Sequence, residues 1–210
     1  MSDTSGARRA MVDSQLRPEA VTDRGVLAAM GAVERERFVP EGAQDLAYSD
    51  RSLPIGAGRR MMPPAALGRL LSELAPAAGE RALVVGSGGG YSAAVLTAIG
   101  LTVTALESDQ GLAAAAEAAG VATQVGDLAS GWAADAPYNL ILIDGAVEGI
   151  PAALTEQFAP GGRLGGGLID RGVTRLVVGR VSGGALGLTT LADTDVAVLP
   201  GFARPRAFTF

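Results

Sequence analysis

The sequence predicts a doubly wound α/β domain: a mostly parallel sheet flanked by helices, with a helical N-terminal extension and antiparallel strands toward the C-terminus. Three observations carry this reading. Residues 81 to 107 run as an apolar stretch, a glycine-rich corner, a helix-like segment and a second apolar stretch ending in a carboxylate, which is a β-α-β unit. From Glu80 to Leu168 short apolar runs keep alternating with helix-like segments. Residues 174 to 181 then alternate Leu176 and Val178 with polar neighbours and lead into Gly183-Gly184, as a half-exposed strand with a hairpin connection does.

Taken in order, residues 1 to 9 are small, polar and basic, and read as a disordered start. A short helix is expected from Ala10 to Arg17, ended by Pro18. Thr22 or Asp23 then caps a helix whose Val26, Leu27, Met30 and Val33 recur at helical spacing. Residues 34 to 37 form a charge cluster that reads as a solvated helix end, and residues 38 to 56 read as irregular. After Pro63-Pro64, a helix from Ala65 to Leu74 buries Leu67, Leu70, Leu71 and Leu74. Residues 10–79 thus form an extension, and residues 80–210 a sheet domain. In the latter, strands are expected at 82–85, 102–106, 122–125, 138–143 and 163–168, with helices at 91–99, 109–119 and 150–158. Gly100 and Gly120 stop two of those helices, and Pro160-Gly161-Gly162 turns into the fifth strand. Residues 196–199 and 207–210 complete the strands.

Composition removes whole classes of chemistry. The 210 residues hold no cysteine and no histidine, and all seventeen basic residues are arginine. Serine–histidine hydrolysis, lysine Schiff bases, P-loop phosphoryl transfer, and zinc sites built on histidine or thiolate are therefore excluded. A net charge of −5 speaks against nucleic-acid or acidic-membrane partners. No run has the length of a membrane span and no apolar leader core opens the chain, so a cytoplasmic protein is expected, with its oligomeric state left open.

The glycine corner points to a ligand. Its glycines stand at Gly86, Gly88, Gly89 and Gly90, and the third glycine of a dinucleotide fingerprint would fall on Tyr91. With no lysine for a polyphosphate, the corner suits a nucleoside bearing a short unphosphorylated tail, and S-adenosylmethionine is such a ligand. Ser87 lies within the loop. Glu107, followed by Ser108, ends the next strand, where a carboxylate accepts from both ribose hydroxyls. Gly126-Asp127 ends the third: Asp127 suits an adenine amino group and Leu128 the ring face. Asp144 ends the most apolar strand, either facing the crevice or serving as a helix N-cap or a loop acid.

The N-terminal half adds a family likeness. Met11-Val12-x-x-Gln15-Leu16, Val33-x-Arg35-Glu36-x-Phe38-Val39-Pro40, Ala47-Tyr48-x-Asp50 and Leu53-Pro54-Ile55-Gly56-x-Gly58 come in the order seen in protein-L-isoaspartate O-methyltransferases. Gly86-Ser87-Gly88-x-Gly90-Tyr91, Ala136-Pro137-Tyr138 and Pro160-Gly161-Gly162-Arg163-Leu164 continue it, so the chain resembles that family over roughly residues 10 to 170. The resemblance implies a Rossmann-like class I methyltransferase sheet, S-adenosylmethionine as cofactor with S-adenosylhomocysteine as product, and proteins or peptides carrying an isoaspartyl carboxylate as substrate, for repair.

Two departures stand out. Where the family reads G-Q-T-I-S-Q-P, this chain has Gly58-Arg59-Arg60-Met61-Met62-Pro63-Pro64, so Arg60 and Met62 replace the threonine and serine that serve the substrate carboxylate. Val84 stands where the family carries an acid for the methionine end of its cofactor. Arg59, Arg60 and Met62 are thus the acceptor-loop candidates, with no catalytic residue assigned. Arg59 and Arg60 either grip an acidic acceptor or form a basic pair that is solvated or matched by acids such as Asp50. A carboxylate is already ionised at neutral pH, so its methylation requires alignment and exclusion of water rather than a general base. An altered family member that binds the cofactor without isoaspartyl methylation, or methylates another acceptor, is the alternative.

Overall fold

The computed structural model describes residues 4–203. The N-terminal part contains α1 (Ser5–Met11), which runs into a π-helical turn over Val12–Leu16, and α2 (Arg24–Ala32). A two-stranded antiparallel hairpin, β1 (Leu53–Gly56) and β2 (Arg59–Met61), precedes α3 (Pro64–Leu74). Then come β3 (Arg81–Val85), α4 (Tyr91–Ile99), β4 (Thr102–Glu107), α5 (Gln110–Ala118) and β5 (Thr123–Val125). The chain continues through β6 (Tyr138–Val147), the single turn α6 (Ala152–Thr155), β7 (Phe158–Asp170), β8 (Val173–Ser182) and β9 (Ala185–Asp193).

The main sheet has the order β5-β4-β3-β6-β7-β8-β9. Strands β5, β4, β3, β6 and β7 pair in parallel, and β8 and β9 extend the sheet as antiparallel neighbours. The order reverses between β3 and β6, so the ends of these two strands open the crevice where sheets of this kind bind ligands. Side chains alternate across the sheet. Ala82, Val84, Leu140 and Leu142 join the core shared with α2, α3 and α4. Leu83, Val85, Ile141 and Ile143 join the opposite core, which includes Leu128, Leu154, Leu199 and Phe202.

Several expectations are corrected. Residues 5–9 are helical, because the N-terminus is tied down: Thr4 donates its hydroxyl to Glu36, and Arg8 donates to the Ala32 carbonyl at 3.4 Å and stands 3.9 Å from Glu34. Asp23 caps α2, accepting from the Val26 amide at 2.9 Å. The segment expected to be irregular contains β1, the first strand of the hairpin. The helix expected over 150–158 shrinks to α6, and the 160–162 turn is absorbed into a longer β7, with register shifts against β6. Within β7, residues 165–167 are all glycine. A Cβ on Gly165 would meet Leu74 Cδ1 at 2.6 Å, so α3 rests on bare backbone there. Strand β9 has no counterpart among the expected strands: its outward Thr189 and Thr190 weaken the apolar alternation. Residues 196–199 form one isolated parallel bridge, Ala146 to Val198, and the expected strand over 207–210 lies outside the described residues.

Candidate active site

The glycine corner turns the chain from β3 into α4. Gly86, Gly88 and Gly90 all have positive φ, at 74°, 54° and 95°, where a side chain is strained. The Gly86 and Ser87 amides both donate to the Leu106 carbonyl, at 2.9 and 3.0 Å, which locks the corner to the end of β4. This brings Glu107 beneath the loop. Its carboxylate accepts from the Gly88 amide at 2.8 Å, the Ser108 amide at 2.8 Å and the Asp109 amide at 3.2 Å. The Ser108 hydroxyl adds a contact at 3.3 Å.

Arg59 supplies one more donor. Its Nη1 lies 2.8 Å from Glu107 Oε1 and its Nη2 donates to the Gly86 carbonyl at 2.7 Å. Arg59 is 5% exposed and Glu107 is fully buried. The arginine assigned from sequence to the acceptor loop therefore faces inward. Asp50 is not its partner; that carboxylate accepts from the Ala65 amide at 3.0 Å, in the first turn of α3. Arg60 points the other way and is exposed, donating through Nε and Nη2 to the Ser52 hydroxyl and carbonyl at 3.1 and 2.7 Å. Met62 is buried and offers the crevice no polar atom; its carbonyl accepts from Arg35 at 2.6 Å.

Strand β6, expected to end at residue 143, runs on to Val147, so Asp144 lies within it and caps no helix; its Oδ2 accepts from the Ser92 hydroxyl at 2.6 Å. Its Oδ1 is shielded from solvent and has no hydrogen-bond partner, like the hydroxyls of Ser87 and Tyr91. Burial pushes the Asp144 carboxyl up to about 6, against the opposing pull of Ser92 and of Arg59 and Arg35. Ser87, Tyr91 and Asp144 line a residual cavity of about 10 Å³, together with Ile55, Arg60, Met61 and the glycines at 86, 88 and 89. That is room for one water molecule.

Asp127 stands apart at the exposed end. It accepts from the Ala129 amide at 3.3 Å and the Ser130 hydroxyl at 2.6 Å, and so caps a short 3₁₀ turn that begins at the buried Leu128. The Gly126 amide donates to the Glu107 carbonyl at 3.0 Å. The structure thus gathers the glycine corner, Tyr91, Glu107, Ser108 and Asp144 at the mouth of β3, β4 and β6. Asp127 and Leu128 lie to one side, Arg60 borders the cavity with its guanidinium bound to Ser52, and Met62 is turned away.

Three contributors escape a reading of local sequence. Ser92 anchors Asp144 one helical position beyond Tyr91. Leu199 reaches back over the loop from far along the chain. Arg35, expected in a solvated cluster, is fully buried. It donates to the Ala47 carbonyl at 2.7 Å, and its guanidinium carbon sits 4.6 Å from the Tyr91 ring centroid. Burial lowers its pKa. The available signal is its spacing from Phe38, three residues on, whose ring meets Tyr91 edge-on at 5.7 Å.

The comparisons agree with this geometry. The family model described as protein-L-isoaspartate(D-aspartate) O-methyltransferase matches residues 7–166. A protein-L-isoaspartate O-methyltransferase of Methylorubrum populi is 42% identical over 167 residues, covering 77% of this chain and 79% of the relative. A protein-L-isoaspartate O-methyltransferase 2 of an Anaeromyxobacter species is 43% identical over 164 residues, with coverages of 75% and 68%. A solved protein-L-isoaspartate O-methyltransferase shares the fold with a TM-score of 0.83 at 20% identity, over 92% of this chain and 66% of that one. Another, described as a Plasmodium falciparum protein in complex with S-adenosyl-L-homocysteine, gives a TM-score of 0.77 at 18% identity, over 91% and 97%. The fold is that of class I methyltransferases, and the chain belongs to the protein-L-isoaspartate(D-aspartate) O-methyltransferase family, whose members are S-adenosylmethionine-dependent carboxyl O-methyltransferases.

Proposed function

We propose that the chain is an S-adenosylmethionine-dependent carboxyl O-methyltransferase of cytoplasmic location that acts on isoaspartyl carboxylates of damaged proteins. The observation that carries this reading is the convergence of the glycine corner and Glu107 at the point where the strand order reverses, in a chain of this family. The donor set suits an adenosyl group. Glu107 is aimed by the Gly88, Ser108 and Asp109 amides to accept ribose hydroxyls, Asp127 offers an acceptor for an adenine amino group, and Leu128 offers an apolar face. The bound cofactor supplies an electrophilic methyl group.

The protein's own share is alignment. An isoaspartyl carboxylate, with a pKa of about 4, needs no base at neutral pH, in keeping with a site that has neither histidine nor lysine. Ser87 and Tyr91 bring polar atoms without partners to the β6 side of the crevice. Arg60, exposed on β2, is the cationic residue of the acceptor hairpin that a peptide reaches from solvent. A second reading is favoured by Met62, which is buried and gives an acceptor carboxylate no donor: the chain binds the cofactor but methylates a different acid. Methanol released from an isoaspartyl peptide incubated with S-adenosylmethionine tests the substrate. Methyl ester above background is expected; none, with calorimetric binding of S-adenosylhomocysteine intact, leaves the second reading.

A further inference from the structure

We propose that Arg59 and the segment 197–202 form an intramolecular plug over the cofactor crevice, so that the adenosyl group binds only when both are displaced. This rests on the cofactor reading above. A carboxylate has about four acceptor positions. Glu107 already accepts from Arg59 and from the amides of Gly88, Ser108 and Asp109, all from its own chain. Oε1 is crowded by Arg59, Ser108 and Asp109, and Oε2 accepts from Gly88 alone, so until Arg59 leaves a ribose meets one open position with the guanidinium beside it. The Gly86 carbonyl is also held by Arg59.

The second half of the plug comes from beyond the residues matched by the family model, which end at 166. The backbone of β6 grips it: the Ala146 amide donates to the Ala197 carbonyl at 2.7 Å and the Leu199 amide to the Ala146 carbonyl at 2.8 Å. Leu199 is thereby laid on the glycine corner. A Cβ built on Gly86 would meet Arg59 Nη2 at 2.7 Å and Leu199 Cδ1 at 2.8 Å, and one on Gly145 would meet Leu199 Cδ2 at 2.5 Å. Further along, a Cβ on Gly201 would lie 3.6 Å from Asp127 Oδ1, and Phe202 is buried in the same apolar cluster as Leu128 and Leu106. The chain therefore lines the ribose position with a guanidinium and the adenine side with an apolar segment. The cavity beside Ser87, Tyr91 and Asp144 holds about 10 Å³, against the roughly 300–1,000 Å³ of small-molecule sites.

Both parts are attached in a way that permits release. Arg59 follows the hairpin tip Gly56-Ala57-Gly58, whose three residues have positive φ and are exposed, with open space around Gly58. The segment 197–202 is tied to β6 by one isolated bridge rather than a ladder. A closed form that dominates the free protein reduces apparent affinity by the fraction that is open.

The test is calorimetric titration of S-adenosylhomocysteine into the full chain, Leu199→Ala and Arg59→Met, with hydrogen exchange of the wild type read in parallel. Tighter binding by about tenfold or more is expected for each variant, with faster exchange at the Leu199 amide when the wild type is saturated. Leu199→Ala keeps the buried ion pair, so it answers even where Arg59→Met fails to fold. Equal affinities for the folded proteins, with exchange at 197–202 unchanged or slowed, overturn the plug and leave the cofactor reading standing. No binding by any of them overturns the cofactor reading and the plug with it.

Discussion

Strands β4 and β6, on either side of β3, carry one carboxylate each near the glycine corner, and the protein solvates them in opposite ways. Glu107, at the end of β4, receives three backbone amides and a guanidinium. Asp144, in β6, receives one hydroxyl and leaves Oδ1 bare. Glu107 is fully buried and Asp144 partly so, and burial raises the Asp144 carboxyl to about 6. An internal carboxylate with few donors aimed at it drifts toward its neutral form. The well-supplied acid therefore suits a fixed anchor for hydroxyls, and the poorly supplied one is a titrating group beside the same cavity.

The largest expected effect breaks the first half of this contrast. Glu107→Gln leaves Arg59 buried without its counter-ion, so stability should fall by about 3–5 kcal/mol in urea unfolding. A loss below about 1 kcal/mol would show that the guanidinium finds solvent instead. The second half is read through pH. The unfolded value of an aspartate is about 4, below the folded value of about 6, so the native state holds this proton more tightly. Its contribution is full below the unfolded value and is lost as pH rises through the folded one. Asp144→Asn should therefore be more stable than the wild type by about 2 kcal/mol at a pH of about 7.5, with the gap closing near a pH of about 4 in paired urea titrations. The smallest effect sharpens the contrast: Ser92→Ala removes the hydroxyl bonded to Asp144 and should raise its midpoint further, by about one pH unit, in a carboxyl NMR titration.

How far the sequence reaches depends on the range of its signals. The unit from β3 to β4 is legible almost to the residue, since apolar runs and glycine stops act over neighbouring positions. The same signals misplace α6 and the start of β7, because Phe158 already pairs with Tyr138 and Arg163 with Leu140, so the residues between them bulge from a strand instead of turning into one. Glu107 stands out as an acid at a strand tip, but its arginine lies 48 residues away and Leu199 further still, and no local pattern announces contacts of that span. Arg35 is hidden for the same reason: a charged quartet looks solvated until Ala47 and Met62 are known to fold over it.

That arginine has a mechanical consequence. One guanidinium spans the carbonyl of Ala47, the carbonyl that leads into α3 and the ring that opens α4. It is a tie rod through three separate stretches of chain, and two of its anchor points are backbone carbonyls, which no side-chain change elsewhere can remove. The first eighty residues are consequently no detachable cap on the sheet: a cut between Gly79 and Glu80 would separate the rod from the ring it braces. Arg35→Met should loosen the β1–β2 hairpin and the glycine corner together, seen as faster hydrogen exchange in both regions at once.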